Sequence, residues 1–310
     1  MISICIPAFQ RVSYLERLLE SILLQTETDI EVVVTDDSPD ESVQVLVSRY
    51  LDRLPLRYYK NPRALGTPEN WNEGMRRASG AWIKIMHDDD WLEGRDSMKI
   101  FAQAIRDNPG ADFIFSAYQN VAELTGENRP VRLTALGRRL LKRSPWYLLG
   151  ENYIGNPSCT LFRKKEDLLF DPSFKWVVDF EFYIRYLKGF PRLVYLDKVL
   201  VNIGINPTQV TNYTFGVARV QIPENHLLLE RNGNRHLLNL VVYDYFWRLY
   251  RNLGARSEEQ IREAGYDRPL HPVLASMIRW QSRIPPFLLR AGVSSKSLMF
   301  MHYLTHFYRI

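Results

Sequence analysis

Trp82-Ile83-Lys84-Ile85-Met86-His87-Asp88-Asp89-Asp90 is the stretch that decides how this chain is read. Trp82 to Met86 is a short, largely aliphatic run, the kind that forms a strand buried in a sheet. It stops abruptly, leaving a histidine and three consecutive carboxylates at the strand's carboxyl end. In open α/β sheets that edge is where ligands bind. Three adjacent anions repel one another unless a positive group lies among them. Hard divalent cations take oxygen ligands, and Mg²⁺ is usually held by one or two carboxylates plus substrate phosphates. The triplet therefore reads either as a metal–diphosphate site or as a solvated acidic turn.

Outward from this stretch, the first half alternates strand and helix. Ile2 to Ile6 reads as a strand. Ser13-Tyr14-Leu15-Glu16 is a capping box, and it opens a helix with Leu15, Leu18, Leu19, Ile22 and Leu23 at helical spacing. Ile30 to Val34 is a second strand, ending at Thr35-Asp36-Asp37-Ser38. Ser38-Pro39-Asp40-Glu41 is another capping box with proline at the first helical position. A third strand covers Leu56 to Tyr59. Thr67-Pro68 opens a helix through Ala78, which Gly80 closes in the left-handed conformation. A helix from about Asp96 to Asp107 leads to a strand at Phe113 to Ala117. Repeated β–α units with short connections imply an α/β fold, a mostly parallel sheet with helices on both faces. Parallel strands place Asp36-Asp37 and Asp88-Asp89-Asp90 on one sheet edge, facing one crevice. That coincidence favours a site over an acidic turn.

Several classes are disfavoured. No glycine-rich dinucleotide fingerprint follows the first strand and no P-loop pattern occurs, which argues against nicotinamide dehydrogenases and Walker-type NTPases. Pro7-Ala8-Phe9-Gln10 is also not the glycine-rich loop of a sugar-1-phosphate nucleotidyltransferase. Cys5 and Cys159 lie in apolar stretches and read as buried free thiols of a reducing compartment. Met1 runs straight into a strand, so no secretory signal is expected. No apolar run is long enough to span a bilayer.

Charge is uneven. Residues 268–310 contain no Asp or Glu but carry Arg268, Arg279, Arg283, Arg290, Lys296 and Arg309, with aromatics among them. That tail holds +6 against a whole-chain net of +5, so residues 1–267 sum to −1. A cationic, aromatic-rich end suits an anionic membrane surface; the other reading is that its aromatics pack on the main domain. No nucleic-acid motif accompanies the charge, and no nucleic-acid partner is expected.

The motifs resemble a family. Ile4-Cys5-Ile6-Pro7-Ala8-Phe9-Gln10, Val33-Val34-Thr35-Asp36-Asp37-Ser38, Asn70-Trp71-Asn72-Glu73-Gly74 and His87-Asp88-Asp89-Asp90-Trp91-Leu92 are similar to the successive motifs of family 2 inverting glycosyltransferases with the GT-A fold. Asn156-Pro157-Ser158 and Val178-Asp179-Phe180-Glu181-Phe182-Tyr183-Ile184-Arg185 resemble the acceptor-side segment of the bacterial polysaccharide members. The resemblance covers residues 1–213, with 1–117 as a nucleotide-binding half and 118–213 as an acceptor-side half. Residues 214–310 would be a helical, basic extension.

The resemblance implies roles. Pro7, Ala8, Phe9 and Arg11 belong to the nucleotide cradle, with Asn72. Asp37 matches the aspartate that hydrogen-bonds the base; otherwise it serves the positive end of the following helix. Asp88 lies near the ribose, and Asp89 matches the metal-bridging aspartate of D-x-D. Asp90 is a second ligand or a helix-start residue. His87 replaces the first aspartate of D-x-D; it suits Zn²⁺ or Mn²⁺ better than Mg²⁺ or packs beside the nucleotide. Asn206 stands where relatives often carry a histidine toward metal or diphosphate. Asp179 matches the general base for the acceptor hydroxyl or acts as a helix N-cap, with Glu181 as runner-up. Arg185 reads as a phosphate contact or a surface residue. The basic segment 126–145, beside Trp146 and Tyr147, reads as a mobile acceptor flap. The processive Q-x-x-R-W pattern is missing, since Ser276 stands four positions before Trp280.

The resemblance thus implies metal-dependent, inverting, non-processive transfer from a nucleoside-diphosphate sugar to a glycan or polyprenyl-diphosphate-linked acceptor, with Mn²⁺ or Mg²⁺ as cofactor. The expected place is the cytoplasm or the inner face of the plasma membrane. A catalytically silent carbohydrate-binding or scaffold protein on the same fold is the other class that His87 and Asn206 keep open.

Overall fold

The computed structural model describes residues 1–206 and 214–309. Residues 207–213, with the remainder of the segment after Asn206 and the expected boundary at 213, lie outside the described residues. The chain divides into two compact units that interleave along the sequence. The first holds Met1–Pro145, Tyr153–Pro172 and Glu181–Gln209; the second holds Trp146–Asn152, Ser173–Phe180 and Val210–Ile310.

The first unit is built on one mixed sheet. Its elements are β1 (Ile2–Ala8), α1 (Val12–Leu23), β2 (Ile30–Asp36), α2 (Ser42–Ser48), β3 (Leu56–Lys60), α3 (Glu69–Arg77), β4 (Trp82–Ile85), β5 (Trp91–Leu92), α4 (Ser97–Asp107), β6 (Phe113–Ala122), β7 (Asn128–Val131), α5 (Ala135–Arg143), β8 (Thr160–Arg163), α6 (Val178–Gly189) and β9 (Leu193–Ile205). α6 starts in the second unit, at Val178-Asp179-Phe180. The strand order is β3-β2-β1-β4-β8-β6-β9-β5, with β7 paired to β6. β3, β2, β1 and β4 are parallel, as the β–α repeats require. β8 then enters antiparallel between β4 and β6, and the short β5 pairs antiparallel with β9.

Alternation along β1 and β2 sorts the two faces. Ile2, Ile4, Ile6, Ile30, Val32 and Val34 join one core with Leu15, Leu18, Leu19 and Ile22 of α1. Each of these four helical side chains contributes about 1.5–3 kcal/mol by leaving water. On the opposite face α3 lies so close that a Cβ at Gly74 would stand 3.2 Å from Cys5 Cβ. Cys5 and Cys159 are buried free thiols.

Local expectations fail where tertiary partners outbid capping. α1 begins at Val12 with Arg11 at the cap position and no side-chain cap. α2 begins only at Ser42; Ser38 Oγ instead accepts from Gln10 N at 2.8 Å. α3 ends in an extended Ala78, not in a left-handed glycine. Gly80 N donates to Ser3 Oγ at 2.8 Å, and a side chain there would strike Ser3. The basic segment is folded: β7 pairs with β6, and Thr134 caps α5 by accepting from Gly137 N at 3.0 Å.

The second unit is helical: α7 (Ala218–Asn232), α8 (Leu240–Leu253), α9 (Glu258–Glu263), α10 (Pro272–Ser282), α11 (Pro286–Arg290) and α12 (Gly292–His306). α8 supplies Tyr243, Phe246, Trp247 and Tyr250 to its interior, and α10 supplies Leu274, Met277 and Ile278. Among the described residues no helix is long and apolar enough to cross a membrane.

Candidate active site

Met86 N donates to Cys5 O at 2.9 Å, so the acidic stretch leaves the sheet directly beside β1. Asp90 N returns to His87 O at 3.1 Å and closes a turn that gathers the four side chains. Asp88, Asp89 and Asp90 are only 8%, 6% and 1% exposed. This excludes a solvated acidic turn.

Each carboxylate is held. After β1 the chain turns through Gln10, whose φ of +59° lies in the left-handed region, a strained choice for a residue with a side chain. Arg11 N closes the turn on Phe9 O at 2.7 Å. Arg11 Nη1 then lies 2.8 Å from Asp89 Oδ2 and 3.4 Å from Asp88 Oδ1. Asn206, just past β9, donates Nδ2 to the same Asp89 oxygen at 3.1 Å. Arg17 of α1 donates Nη2 to the Asp89 carbonyl at 3.0 Å, with its guanidinium 3.8 Å over the Trp91 ring. Asp90 accepts from Asn156 Nδ2 at 2.9 Å and from Gly204 N at 3.2 Å. His87 N donates to Ser158 Oγ at 2.9 Å. Lys84, fully buried in β4, donates Nζ to Ser158 O at 2.5 Å and so pins the turn that carries Asn156 and Ser158.

The electrostatics are those of an anionic pocket short of positive charge. Burial pushes the Asp88 carboxyl up to about 7, against the pull of Arg11. Burial, then the neighbouring Asp89 charge, pushes Asp90 up to about 8. Burial also holds the His87 imidazole below its ordinary value. His87, Asp89 and Asp90 each present a ligand atom within 4.8 Å of the others. His87 Nε2 is buried without a hydrogen-bond partner among the described residues. One imidazole and two carboxylates are donors that Mn²⁺ accepts, so these residues fit a divalent cation.

Other expected residues sort differently. Pro7 and Ala8 pair with Thr35 and Asp36 at the end of β1, and Phe9 is 49% exposed. Asp37 accepts from Asn61 Nδ2 at 2.7 Å, Leu65 N at 3.0 Å and Gly66 N at 2.7 Å. It therefore organises the loop after β3, five residues before α2 begins. Its neighbour Asp36 is fully buried and accepts from Tyr58 Oη and Lys60 Nζ, so it does not face a crevice. Asn72 is engaged within the protein. Its Nδ2 donates to Glu69 at 2.9 Å and to Phe170 O at 2.8 Å, and its Oδ1 accepts from Phe170 N at 2.8 Å. In this structure the amide expected to meet a nucleotide tethers α3 to Phe170.

Asp179 lies in the first turn of α6, half-buried, and accepts from Phe180 N at 2.9 Å. Burial pushes its carboxyl up to about 6. The strand of chain before it is braced by Glu224 of α7, which accepts from the N–H groups of Lys175, Trp176 and Val177 at 2.9, 2.7 and 3.1 Å. Glu181 and Arg185 pair with each other at 2.6 Å. Arg185 also donates to Leu169 O at 2.6 Å, so it is a structural cation. Arg17, Lys84, Asn156, Ser158 and Glu224 are supporting residues that sequence reasoning did not assign. Asn156 and Ser158 stood in a motif with no role assigned to them, and Lys84 left its own signal, a lone lysine inside an aliphatic strand.

The chain is similar to known proteins. The model of Glycosyl transferase family 2 matches residues 3–170, more than half the chain, and the chain belongs to that family. Among characterised relatives, the GalNAc(5)-diNAcBac-PP-undecaprenol beta-1,3-glucosyltransferase of Campylobacter jejuni is 33% identical over 93 residues, covering 29% of this chain and 30% of the relative. Two further relatives are spanned over only 38% and 61% of their own length. The crystal structure of S. aureus TarS 1-349 in complex with UDP-GlcNAc superposes with a TM-score of 0.59 at 18% identity, covering 98% of this chain and 91% of that one. The mannosyltransferase PcManGT of Pyrobaculum calidifontis, in complex with GDP-Man and Mn²⁺, gives 0.59 at 14% identity, covering 99% and 87%. The fold is the GT-A fold with C-terminal helices, as the motifs implied.

Proposed function

We propose that the protein moves a sugar from a nucleoside-diphosphate donor to a hydroxyl of a glycan or polyprenyl-diphosphate-linked glycan in surface polysaccharide assembly. Transfer inverts the anomeric centre and adds one sugar per encounter. The observation that carries this reading is the buried triplet at the carboxyl end of β4, held by Arg11 from the end of β1 and by Asn206 from the end of β9.

In this reading the donor lies along that edge. Pro7, Ala8, Phe9 and Arg11 line the nucleotide side, Asp37 takes an N–H of the base and Asp88 lies beside the ribose. Oδ2 of Asp37 carries one N–H and keeps a lone pair for the base. His87, Asp89 and Asp90 would hold a divalent cation, which would supply charge neutralisation for the departing diphosphate. Arg11 adds a fixed positive charge on the same side, and Arg17 and Asn206 keep Asp89 in place.

Asp179 takes the proton of the acceptor hydroxyl. With its pKa at about 6 it is ionised at neutral pH and still a competent base. The relative named for an undecaprenol-linked substrate supports a lipid-linked acceptor, and the neighbours with UDP-GlcNAc and GDP-Man support a uridine or guanosine donor. Expected residence is the cytoplasm or the inner face of the plasma membrane.

The test is donor hydrolysis without acceptor. UDP-, GDP- and dTDP-sugars are each incubated with the protein and Mn²⁺ or Mg²⁺, and released nucleotide is followed. Release from one donor class supports transfer. Binding of that donor with no release, even when glycan acceptors are added, favours the catalytically silent alternative.

A further inference from the structure

α12 is inside out for a surface helix. An ordinary one buries its apolar stripe and shows its polar side to water. Here the buried positions are Ser295, Met299 and His302. Trp247 Nε1 donates to Ser295 Oγ at 3.1 Å, and Tyr243 Oη and Ser276 Oγ lie 2.5 and 3.2 Å from the two ring nitrogens of His302. These bonds fix the rotation of the helix, so its apolar side chains cannot turn inward. Val293, Phe300, Met301 and Leu304 stand in solvent, Val293 at 85% and Met301 at 56% exposure. The preceding α11 adds Phe287, 70% exposed. Val293, Phe300 and Leu304 recur at helical spacing on one side of α12, and an exposed apolar stripe of this kind marks an interaction site.

Charge decides the occupant. Arg268 and Arg279 are paired with Glu230 and Glu258, whereas Arg283, Arg290 and Lys296 are exposed and make no ion pair among the described residues. No acidic residue occurs from 268 to 310. A second copy of the face would bring cations against cations. An acidic lipid surface offers hydrocarbon for the side chains of Phe287, Phe300 and Leu304 and phosphate for the flanking cations. We infer that α11 and α12 form a docking face for an anionic bilayer. This goes beyond the transfer reading and does not depend on it.

The full chain, without donor, is floated with phosphatidylcholine vesicles that either contain or lack phosphatidylglycerol. Binding is expected only to the anionic vesicles, and to weaken with salt. Lys296→Glu should lower it by about fivefold or more, and the double variant Phe300→Ser, Leu304→Ser by about tenfold or more. Both variants alter exposed positions and should keep the wild-type melting temperature and nucleotide binding. Equal binding to both vesicle types, or unchanged binding by the double variant, would overturn the inference. So would a lipid-free dimer that the double variant dissolves, which would assign the face to a second copy. Nucleotide binding measured without vesicles is a separate readout, so failure here leaves the donor site standing.

Discussion

Arg11 Nη1 and Asp89 Oδ2 lie 2.8 Å apart across 78 residues of sequence, joining the turn after β1 to the acidic turn after β4. The contact ties the turn proposed to line the nucleotide to the turn proposed to hold the metal with one side chain. Both partners are largely withdrawn from water, so removing one leaves a partly buried charge uncompensated. Arg11→Met is expected to lower stability by about 1–3 kcal/mol in denaturant unfolding, discounted for the exposed part of the guanidinium. Donor affinity should fall by about tenfold or more by calorimetry. Wild-type values on both counts would remove Arg11 from the site.

Gly204 sits against the backbone of the acidic turn. A Cβ there would run into the Asp89 carbonyl, a backbone atom that cannot step aside. Gly204 N also donates to Asp90. Gly204→Ala should therefore cost about 1–3 kcal/mol and weaken nucleotide binding with it. A neutral effect on both would show that the turn is softer than its packing implies.

Asp179→Asn should cut kcat by about a hundredfold or more while leaving donor binding intact. The sign of the pH dependence follows from burial. A carboxyl raised to about 6 is protonated below that value and cannot accept a proton, so activity should rise with pH through about 6. That limb should vanish from the residual activity of the Asn variant. Persistence of the limb would assign the base elsewhere.

Much of this was legible before any coordinates, for physical reasons. β1, β2 and β4 are short apolar runs bounded by turn residues, and the chain offers them nothing else to be. The placement of Asp88, Asp89 and Asp90 followed from strand polarity alone. The helix starts did not follow, because Ser38 has a better partner in Gln10 N than in its own helix. Asp36 and Asp37 look equivalent in sequence, but the pleat turns them to different neighbours. The Asn72 bond to Phe170 was not legible, because only the fold brings Phe170 beside it. Arg17 reaches the triplet from a distant helix with no local pattern to mark the contact, and the Asn156-Pro157-Ser158 motif did not tell which group Asn156 would hold.

Glu224 is the least conspicuous of these supports. It receives three backbone N–H groups from the segment that leads to Asp179. Glu224→Ala would strand those donors and should cost about 2–4 kcal/mol in unfolding experiments. Turnover should fall further than donor KM rises, because the displaced segment carries the proposed base. A stable variant with unchanged turnover would separate Glu224 from Asp179.

The most direct test of the donor site is a thermal-shift series with UDP, GDP, dTDP and CMP, each with and without Mn²⁺, on the wild type and on Asp89→Ala. A ligand at a hundredfold excess over its Kd stabilises the native state by about 2.7 kcal/mol. The expected result is a Mn²⁺-dependent rise in Tm with one nucleoside diphosphate, absent in Asp89→Ala. No rise with any nucleotide, or the same rise in the variant, would contradict a donor site at the carboxyl end of β4.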